Sequence, residues 1–227
     1  MPEQSLPKII ALVPMRHHSQ RVPGKNYRLL DGKPLYQHIL KTLLNVTEIS
    51  EIVVDTDSPV IIEGVLTFFP TIKVIERPPE LRADDISMNT ILQYDISQAP
   101  ADFYLQTHST NPLLKASTIS NAIHTFLSAY PAKDSLFSVT RLQTRLYDHT
   151  GKALNHDPRV LIQTQDLPPV YEENSCFYLF SASTLAKRGT RIGEEPILFE
   201  TDPEESMDID EEIDLKMVEM MIQARRV

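Results

Sequence analysis

Short apolar runs alternate with segments of helical periodicity over most of the chain, and this alternation restricts the possible folds more than any other feature. Residues 9–13 form the first run, and a leucine-rich helical pattern follows it from Pro34. Residues 52–54 form the next run, and Ser58 then marks a helix start. Alternating strands and helices build a mainly parallel sheet covered by helices on both faces. We therefore predict an α/β fold, a Rossmann-like doubly wound sheet in one domain over residues 1–227.

One long segment, residues 141–171, interrupts this alternation. It is rich in Asp, His, Pro and Asn and has few apolar runs. Structureless loops of this length are uncommon within compact domains. We therefore predict that the segment is an arm or lid inserted into the domain.

Positive charge is concentrated in one segment of an acidic chain. The net charge is −9, yet residues 16–33 carry five Lys or Arg and a single acid. This segment follows the first apolar run, so it lies at the edge where ligands bind to parallel sheets, beyond the carboxyl ends of the strands. A basic cleft attracts a polyanion, most simply a nucleoside triphosphate; the alternative is a solvated basic loop. The acidic total argues against a nucleic-acid partner.

Several function classes are excluded by missing motifs. The six glycines form neither GxGxxG nor GxxxxGK[ST], and there is no GxSxG, which argues against a dinucleotide fingerprint, a P-loop and a hydrolase elbow. A single cysteine excludes a Cys-rich zinc site and fits a reducing compartment. The first ten residues lack the pattern of a signal peptide, and no apolar run approaches the ~20 residues that span a bilayer. We expect a cytoplasmic protein with no membrane partner.

Negative charge is concentrated near the C-terminus. Residues 192–215 hold eleven acids and no Lys or Arg. If the chain is extended there, Asp208 and Asp210 point to one face, and two carboxylates on one face suit Mg²⁺. The alternative is an acidic helix N-terminus favoured by the helix dipole, which accounts for Glu211, Glu212 and Asp214. A basic loop and a Mg²⁺-holding pair at one sheet edge together indicate phosphoryl or nucleotidyl transfer.

Five segments resemble, in order along nearly the whole chain, the motifs of one enzyme family. They are residues 12–26 (LVPMRHHSQRVPGKN), 77–81 (RPPEL), 105–113 (LQTHSTNPL), 173–178 (ENSCFY) and 207–215 (MDIDEEIDL). The family is that of the acylneuraminate cytidylyltransferases, the CMP-sialate and CMP-Kdo synthetases. The first and last segments are the most specific matches.

The resemblance implies a fold, a reaction and an assembly. The fold is that of the nucleotide-diphospho-sugar transferases with a protruding dimerisation arm, and the assembly is a homodimer. The reaction transfers CMP from CTP to the anomeric hydroxyl of a 3-deoxy-ulosonic acid, sialic-acid-like or Kdo-like, with release of pyrophosphate, for cell-surface glycans. Mg²⁺ is the implied cofactor, and CTP and the acidic sugar are the implied ligands.

The resemblance also implies roles for individual residues. The catalytic set, which neutralises charge on the phosphates, comprises Arg16, Arg21, Lys25 and Asp210. The nucleotide site comprises Leu12, Pro14, Arg16, Arg21, Lys25, Asn26, Arg77 and Ser87. The sugar site comprises Gln106, Gln165, Asn174 and Tyr178. The metal site comprises Asp208 and Asp210.

The chain departs from the family pattern at two positions. Gln20 stands where sialate-type enzymes carry a lysine, although the adjacent Arg21 restores the charge. Thr164 stands where many relatives carry an arginine for the sugar carboxylate, and Arg145 or Arg159 could replace it. Two alternatives therefore stay open: a nucleotidyltransferase for another sugar or sugar phosphate, and a nucleotide-binding homologue without turnover. The late position of the aspartate pair, before the final helix, disfavours the first.

Overall fold

The structure is a computed structural model that describes residues 7–225. Residues 1–6 and 226–227 lie outside it. The prediction that the chain starts without a signal peptide depends mostly on residues 1–6 and so lies outside the described residues. The strands of the described part are β1 Ile9–Met15, β2 Leu29–Leu30, β3 Lys33–Pro34, β4 Glu51–Thr56, β5 Lys73–Glu76, β6 Phe103–Thr107, β7 Ser135–Leu142, β8 Val170–Phe180 and β9 Pro196–Glu200. Its α-helices are α1 Tyr36–Leu43, α2 Pro59–Phe68, α3 Met88–Gln98, α4 Ala116–Ala129, α5 Ala182–Arg188 and α6 Glu212–Ala224.

Within residues 7–225, seven strands form one sheet in the order β5-β4-β1-β6-β8-β7-β9. β1 pairs in parallel with β4 and β6, and β4 in parallel with β5. β8 is antiparallel to both of its neighbours, β6 and β7. The predicted Rossmann-like, mainly parallel sheet is confirmed, and the antiparallel β8 is a feature that the alternation of elements did not reveal. None of the described helices is long and apolar enough to cross a membrane.

Helices cover both faces of the sheet because the central strands are apolar on both sides. In β1, Ile9, Ala11 and Val13 face a core shared with α1, α2 and α4. Ile10 and Leu12 face the opposite core, which α3 and α5 cover. The last helix packs on a third, smaller cluster beside the β2–β3 ribbon. A strand buried on both faces reads as a continuous apolar run, which is why β1 is clear in the sequence.

The order of the strands brings several loops to one edge. The loops after β1, β4 and β6 leave from the carboxyl ends of these parallel strands. Because β8 is antiparallel, with Thr107 opposite Phe177, its first half extends beyond the carboxyl end of β6. This first half contains an irregularity in the pairing with β7, where Ser175 adopts a positive φ of 59°. Ser175 therefore lies beyond the carboxyl end of β6, at the edge where ligands are expected.

The predicted arm begins as a continuation of the sheet. β7 and β8 remain paired out to Leu142 and Val170, and the chain between them is mostly irregular, with one short 3-10 turn over Thr164–Asp166. Leu161 is 89% exposed and Val160 is 56% exposed. The involvement of this arm in dimerisation stays a prediction.

The single cysteine lies at the other extreme of accessibility. Cys176 in β8 is fully buried, and its backbone carbonyl accepts a hydrogen bond from Thr107 Oγ1 at 2.6 Å. Burial raises the pKa of the Cys176 thiol to about 12, and the charges of Asp208 and Glu205 act in the same direction. A neutral thiol in this position is a packing element of the sheet.

Candidate active site

A cleft of about 690 Å³ opens at the carboxyl edge of the sheet. Its walls come from the loop after β1, the segment between β5 and α3, the loop after β6, the irregular part of β8 and the segments on either side of β9. The predicted site residues that line it are Pro14, Arg16, Arg21, Lys25, Asn26, Arg77, Asp208 and Asp210.

The basic loop and the acidic pair meet in this cleft. Gly24 has a φ of 66°, and a Cβ there would lie 2.6 Å from the Tyr27 ring, so the turn requires glycine. The turn directs Lys25 across the cleft, where its Nζ donates to the Ile209 carbonyl at 2.7 Å and to Asp210 Oδ1 at 3.2 Å. Arg21 Nη2 reaches the same Asp210 oxygen at 2.7 Å. Opposite charges from two ends of the chain thus share one pocket.

Asn26 connects the loop that follows β1 to the loop that follows β6. Its Nδ2 donates to the Arg16 carbonyl at 2.7 Å, and its Oδ1 accepts from Ser109 Oγ at 2.6 Å. The Arg16 side chain crosses the cleft mouth to Asp84 Oδ1 at 2.7 Å, and Gln20 Nε2 donates to the other Asp84 oxygen at 3.1 Å. Asn26 therefore fixes the backbone from which Arg16 projects.

The acidic segment divides into a capping part and a cleft part. Asp214 Oδ2 accepts from the backbone N–H groups of Asp210 and Glu211, at 3.0 and 2.7 Å, and so caps α6. Ile209 is fully buried, while Asp208 and Asp210 on either side of it line the cleft. The helix dipole thus explains the position of Asp214. It does not explain Asp208 and Asp210, which precede the helix and line the cleft.

The donor set of this pair fits a hard cation. Asp208 Oδ1 is buried and has no hydrogen-bond partner within residues 7–225. Burial raises the pKa of Asp208, a hydrogen bond with Thr110 opposes that shift, and the charge of Asp210 adds to it. No group of three or more His, Cys, Asp or Glu side chains in the described part could hold a metal ion. A Mg²⁺ ion here would need further oxygens from a ligand, which is how Mg²⁺ commonly binds nucleotides.

Arg77 lies in a buried charge cluster at the cleft floor. It is 1% exposed, and its Nε donates to Asp55 Oδ1 at 3.0 Å. Burial raises the pKa of Asp95, on α3, to about 9. The negative charge of Asp55 and its hydrogen bond with Asp95 add to this shift. Asp95 is thus protonated at neutral pH, and one cation balances one carboxylate. Arg77 Nη1 is buried without a partner in the described part.

A second basic site lies at the opposite end of the cleft and was not predicted. The Arg191 guanidinium carbon lies 3.5 Å from the centroid of the Tyr178 ring, and Nη1 donates to Gln106 Oε1 at 2.5 Å. Gln106 Nε2 in turn contacts His108 Nε2 at 3.0 Å. Burial lowers the pKa of His108 to about 3, and the charges of Arg191 and Lys25 contribute. His108 is therefore neutral, and both Arg191 and His108 line the cleft.

Three predicted sugar-site residues lie behind this wall rather than on the cleft surface. Gln106 and Tyr178 are fully buried partners of Arg191, paired across β6 and β8. Asn174 donates to Thr140 Oγ1 at 3.0 Å and to Thr201 Oγ1 at 2.7 Å, and so joins the ends of β7 and β9. These residues support the cleft without lining it, and their contacts with a substrate stay predictions.

Three further predicted residues also lie away from the cleft surface. Leu12 is buried within β1, and Ser87 caps α3 by accepting from the Thr90 N–H at 3.2 Å. Gln165 is exposed on the arm, next to Thr164. The suggested substitutes for the missing arginine are also on the arm: Arg145 donates to the Ile162 carbonyl, and Arg159 pairs with Asp157 at 2.7 Å.

Sequence reasoning could have found only part of what it missed. His108 lies within the segment 105–113 that resembles a family motif, and this position was a visible signal. Arg191 directly precedes the acidic segment and follows an ordinary basic helix end, so nothing in the local pattern marks it.

Comparisons with known proteins are consistent over nearly the whole chain. A family profile described as cytidylyltransferase matches residues 10–226. The CMP-N,N'-diacetyllegionaminic acid synthase of Legionella pneumophila is 28% identical over 95% of this chain and 97% of its own length. N-acylneuraminate cytidylyltransferase A of Danio rerio is 28% identical over 94% of this chain, which spans 50% of the length of that protein.

Solved structures share the fold at low identity. A CMP:2-keto-3-deoxy-manno-octonic acid synthetase complexed with CTP superposes with a TM-score of 0.70 and 18% identity, covering 97% of this chain and 100% of the other. The 4-diphosphocytidyl-2C-methyl-D-erythritol synthase of Anaerococcus prevotii gives 0.69 and 11%, covering 96% of each chain. At these identities the similarity shows a shared fold and nothing further.

Proposed function

The chain belongs to the cytidylyltransferase family, and from this premise we propose that it transfers CMP from CTP to the anomeric hydroxyl of an acidic 3-deoxy-ulosonic sugar, with release of pyrophosphate. The full-length relative from Legionella pneumophila carries the name of such an enzyme, as does the longer relative from Danio rerio. The products would be CMP-activated acid sugars for cell-surface glycans. A CTP-dependent reaction and a reduced, buried Cys176 favour a cytoplasmic location.

One observation carries the proposal: the basic loop and the acidic pair face each other in a single cleft, with Lys25 Nζ 3.2 Å from Asp210 Oδ1. A triphosphate bound between them would replace the aspartates as the partner of Arg16, Arg21 and Lys25. Arg16, Arg21 and Lys25 would bind its oxygens and stabilise the charge that develops on the leaving pyrophosphate. Catalysis of this kind depends on positioning and on charge stabilisation rather than on a protein nucleophile.

Mg²⁺ is part of this proposal. Asp208 and Asp210 would hold the ion, and the unpartnered buried Oδ1 of Asp208 supports that assignment. Bound there, Mg²⁺ would supply positive charge beside the phosphates. Lys25, whose Nζ also donates to the Ile209 carbonyl at 2.7 Å, would hold the backbone between the two aspartates in place while the sugar hydroxyl attacks the α-phosphorus.

The nucleotide and the sugar would occupy different halves of the cleft. We define the nucleotide half as the part lined by Arg16, Arg21, Lys25 and Arg77, beside β1, β4 and β5. We define the acceptor half as the part lined by His108, Ser175 and Arg191, beside β6 and β8. In-line attack requires the sugar hydroxyl to lie across the α-phosphorus from the leaving group, and two halves of one cleft meet that need.

A homodimer formed through the arm completes the proposal. The arm carries large apolar side chains that are mostly exposed in residues 7–225, among them Tyr147, Leu154, Val160 and Leu161, which are 52%, 62%, 56% and 89% exposed. Large apolar side chains exposed together on one segment favour an interaction surface there. Sedimentation velocity should give the mass of two chains, and Leu161→Glu should shift the protein toward the monomer.

The reaction is tested by pyrophosphate release from CTP and Mg²⁺ with three acid sugars: N-acetylneuraminate, N,N'-diacetyllegionaminate and 3-deoxy-manno-octulosonate. We expect release with at least one of them and a CMP-sugar of the corresponding mass. The control substrate is 2C-methyl-D-erythritol 4-phosphate, which should give none. Turnover of the sugar phosphate alone would replace the proposed function with the sugar-phosphate alternative, and CTP binding without release from any substrate would indicate a binding module.

A further inference from the structure

Arg191 differs from the other cations of the cleft in what balances its charge. Five Lys or Arg side chains of residues 7–225 line the cleft, and four of them have a carboxylate oxygen within 3.2 Å: Arg16, Arg21, Lys25 and Arg77. The nearest carboxylate to Arg191 is Glu173, with Oε1 3.9 Å from Nη2, and that oxygen already accepts a hydrogen bond from the Tyr178 hydroxyl. Arg191 therefore holds the least compensated positive charge in the cleft.

Neutral groups hold this cation in place. Its guanidinium stacks on the Tyr178 ring, and Nη1 donates to the Gln106 amide oxygen. Its backbone N–H donates to Asn89 Oδ1 on α3 at 3.3 Å. The side chain is only 15% exposed. A cation that is largely removed from water and is held by a ring and an amide keeps most of its attraction for an incoming anion.

The neighbouring imidazole does not neutralise that attraction. Because Gln106 Oε1 accepts from Arg191, the amide nitrogen must donate to His108 Nε2, and the ring proton is then assigned to Nδ1. His108 thus adds a neutral N–H donor to the acceptor half. It carries neither a negative charge that would pair with Arg191 nor a positive charge that would repel it.

The position of Arg191 indicates which anion it receives. The proposed reaction brings two anionic groups into the cleft, the triphosphate and the carboxylate of the sugar. The loop after β1 already supplies Lys25, Arg21 and Arg16 for the phosphates, whereas Arg191 is held by the Gln106–Tyr178 pair that joins β6 to β8. Thr164 is exposed on the arm and does not line the cleft.

We propose that Arg191 binds the carboxylate of the acid sugar, with Gln106 and Tyr178 as the residues that position it. This inference rests on the proposed function and specifies the substrate class that its acceptor half selects. The planar guanidinium matches a carboxylate, and a lysine would bring charge without that fork geometry.

The test compares Arg191→Gln with Arg191→Lys and with the control Arg188→Gln. Arg188 is an exposed arginine three residues away that pairs with Glu194 at 3.2 Å outside the cleft. Binding of the acid sugar that the wild type uses, and of its C1 amide, is measured by calorimetry in the presence of a CTP analogue with an α–β methylene bridge. A thermal melt of each variant checks that it is folded.

We expect the wild type to prefer the acid over the amide by at least about tenfold, the usual effect of a charge-assisted pair. Arg191→Gln should abolish that preference and raise the KM for the sugar by a similar factor, and Arg191→Lys should restore part of it. The KM for CTP should change less than about twofold, since the phosphates bind elsewhere. Arg188→Gln should match the wild type.

The possible failures can be told apart. A wild type that turns over an acid sugar, together with an Arg191→Gln variant that keeps the acid-over-amide preference, would overturn this inference and leave the proposed function standing. A wild type that turns over none of the three acid sugars would overturn the proposed function and this inference with it. A selective loss of CTP affinity in Arg191→Gln would reassign the residue to the phosphates.

Discussion

The nucleotide half and the acceptor half of the cleft hold their positive charges in different ways. Arg16 and Arg21 in the nucleotide half pair with aspartates, and they are 48% and 60% exposed to solvent. Arg191 in the acceptor half is 15% exposed and rests on a ring and an amide. Solvent-screened ion pairs are weak and are readily exchanged for a ligand, whereas a buried cation among neutral groups has a fixed geometry. The first arrangement suits a flexible polyphosphate and the second suits a single rigid carboxylate.

The largest expected effect is that of Asp210→Ala on turnover. Asp210 contacts both Arg21 and Lys25 and is one of two carboxylates proposed to hold Mg²⁺. Its loss should lower kcat by about 10²–10³-fold or more, as the removal of a charge-stabilising group does, and leave CTP binding measurable. Pyrophosphate release and calorimetry with CTP give the two readouts. Glu194→Ala, in the same acidic segment but outside the cleft, is the matched control, and full activity of Asp210→Ala in Mg²⁺ would refute the metal assignment.

Asp95→Asn tests the protonation of the buried cluster that holds Arg77. Unlike the exposed ion pairs of the nucleotide half, this cluster is removed from solvent. The pKa of Asp95 is raised to about 9 in the folded state, against about 4 in the unfolded chain. Between these values the folded protein binds the additional proton, so its stability should fall as the pH rises.

Asparagine can still donate to Asp55 but does not titrate, so this part of the pH dependence should disappear. From pH 5 to pH 8, Asp95→Asn should gain at least about 1.4 kcal/mol of unfolding free energy relative to the wild type, the equivalent of one pKa unit. Urea denaturation at both pH values measures it. Glu63→Gln, on the exposed surface of α2, should show no such gain. An equal difference at the two pH values would contradict the proton assignment.

Gln106→Leu probes how the acceptor half is positioned. It removes the acceptor of Arg191 Nη1 and the donor to His108 Nε2. The KM for the acid sugar should rise by about five- to tenfold, less than the full effect of a lost hydrogen bond to a charged group, because the sugar keeps its own contact with Arg191. The KM for CTP should remain within a factor of about two. A parallel rise of both constants would indicate a general loss of structure, which the melting temperature would show independently.

The smallest effect is expected for Arg21→Ala. Because Arg21 is mostly exposed, its attraction for CTP is screened by salt, with a Debye length of about 10 Å at 0.1 M. The loss of CTP affinity should be a few-fold at low salt and smaller at 0.5 M NaCl. Arg28→Ala, in the same basic segment but outside the cleft lining, should bind CTP like the wild type. Equal losses at both salt concentrations would assign Arg21 a structural role.

The nucleotide half could be predicted from the sequence because its determinants are local. β1, the turn at Gly24 and Lys25 lie within 17 consecutive residues. Ile209 lies between the two aspartates of the acidic pair, and its burial follows from the alternation of side chains. The acceptor half could not be predicted in the same way. Arg191 and Gln106 are 85 residues apart, and the antiparallel β8 that joins them to Tyr178 has no equivalent in a simple strand–helix alternation.

Asp95 illustrates a different limit. Its position in the middle of α3 gives no local indication of burial, and only the tertiary fold places it against Asp55 and Arg77. The same is true of Gln106, which the family resemblance assigned to the sugar itself and which the fold places behind Arg191. Tertiary environment, rather than residue type or spacing, decides whether such a side chain touches a ligand or supports one that does.

The deep burial of Cys176 has a practical consequence. The sequence contains one cysteine, and its thiol lies within the sheet with a pKa raised to about 12. A maleimide dye or nitroxide would therefore leave the wild-type chain unlabelled under native conditions. Cysteines introduced at exposed polar positions of the arm such as Lys152 would accept the label selectively, so that fluorescence or spin–spin distances could follow the arm in solution without the removal of the native cysteine.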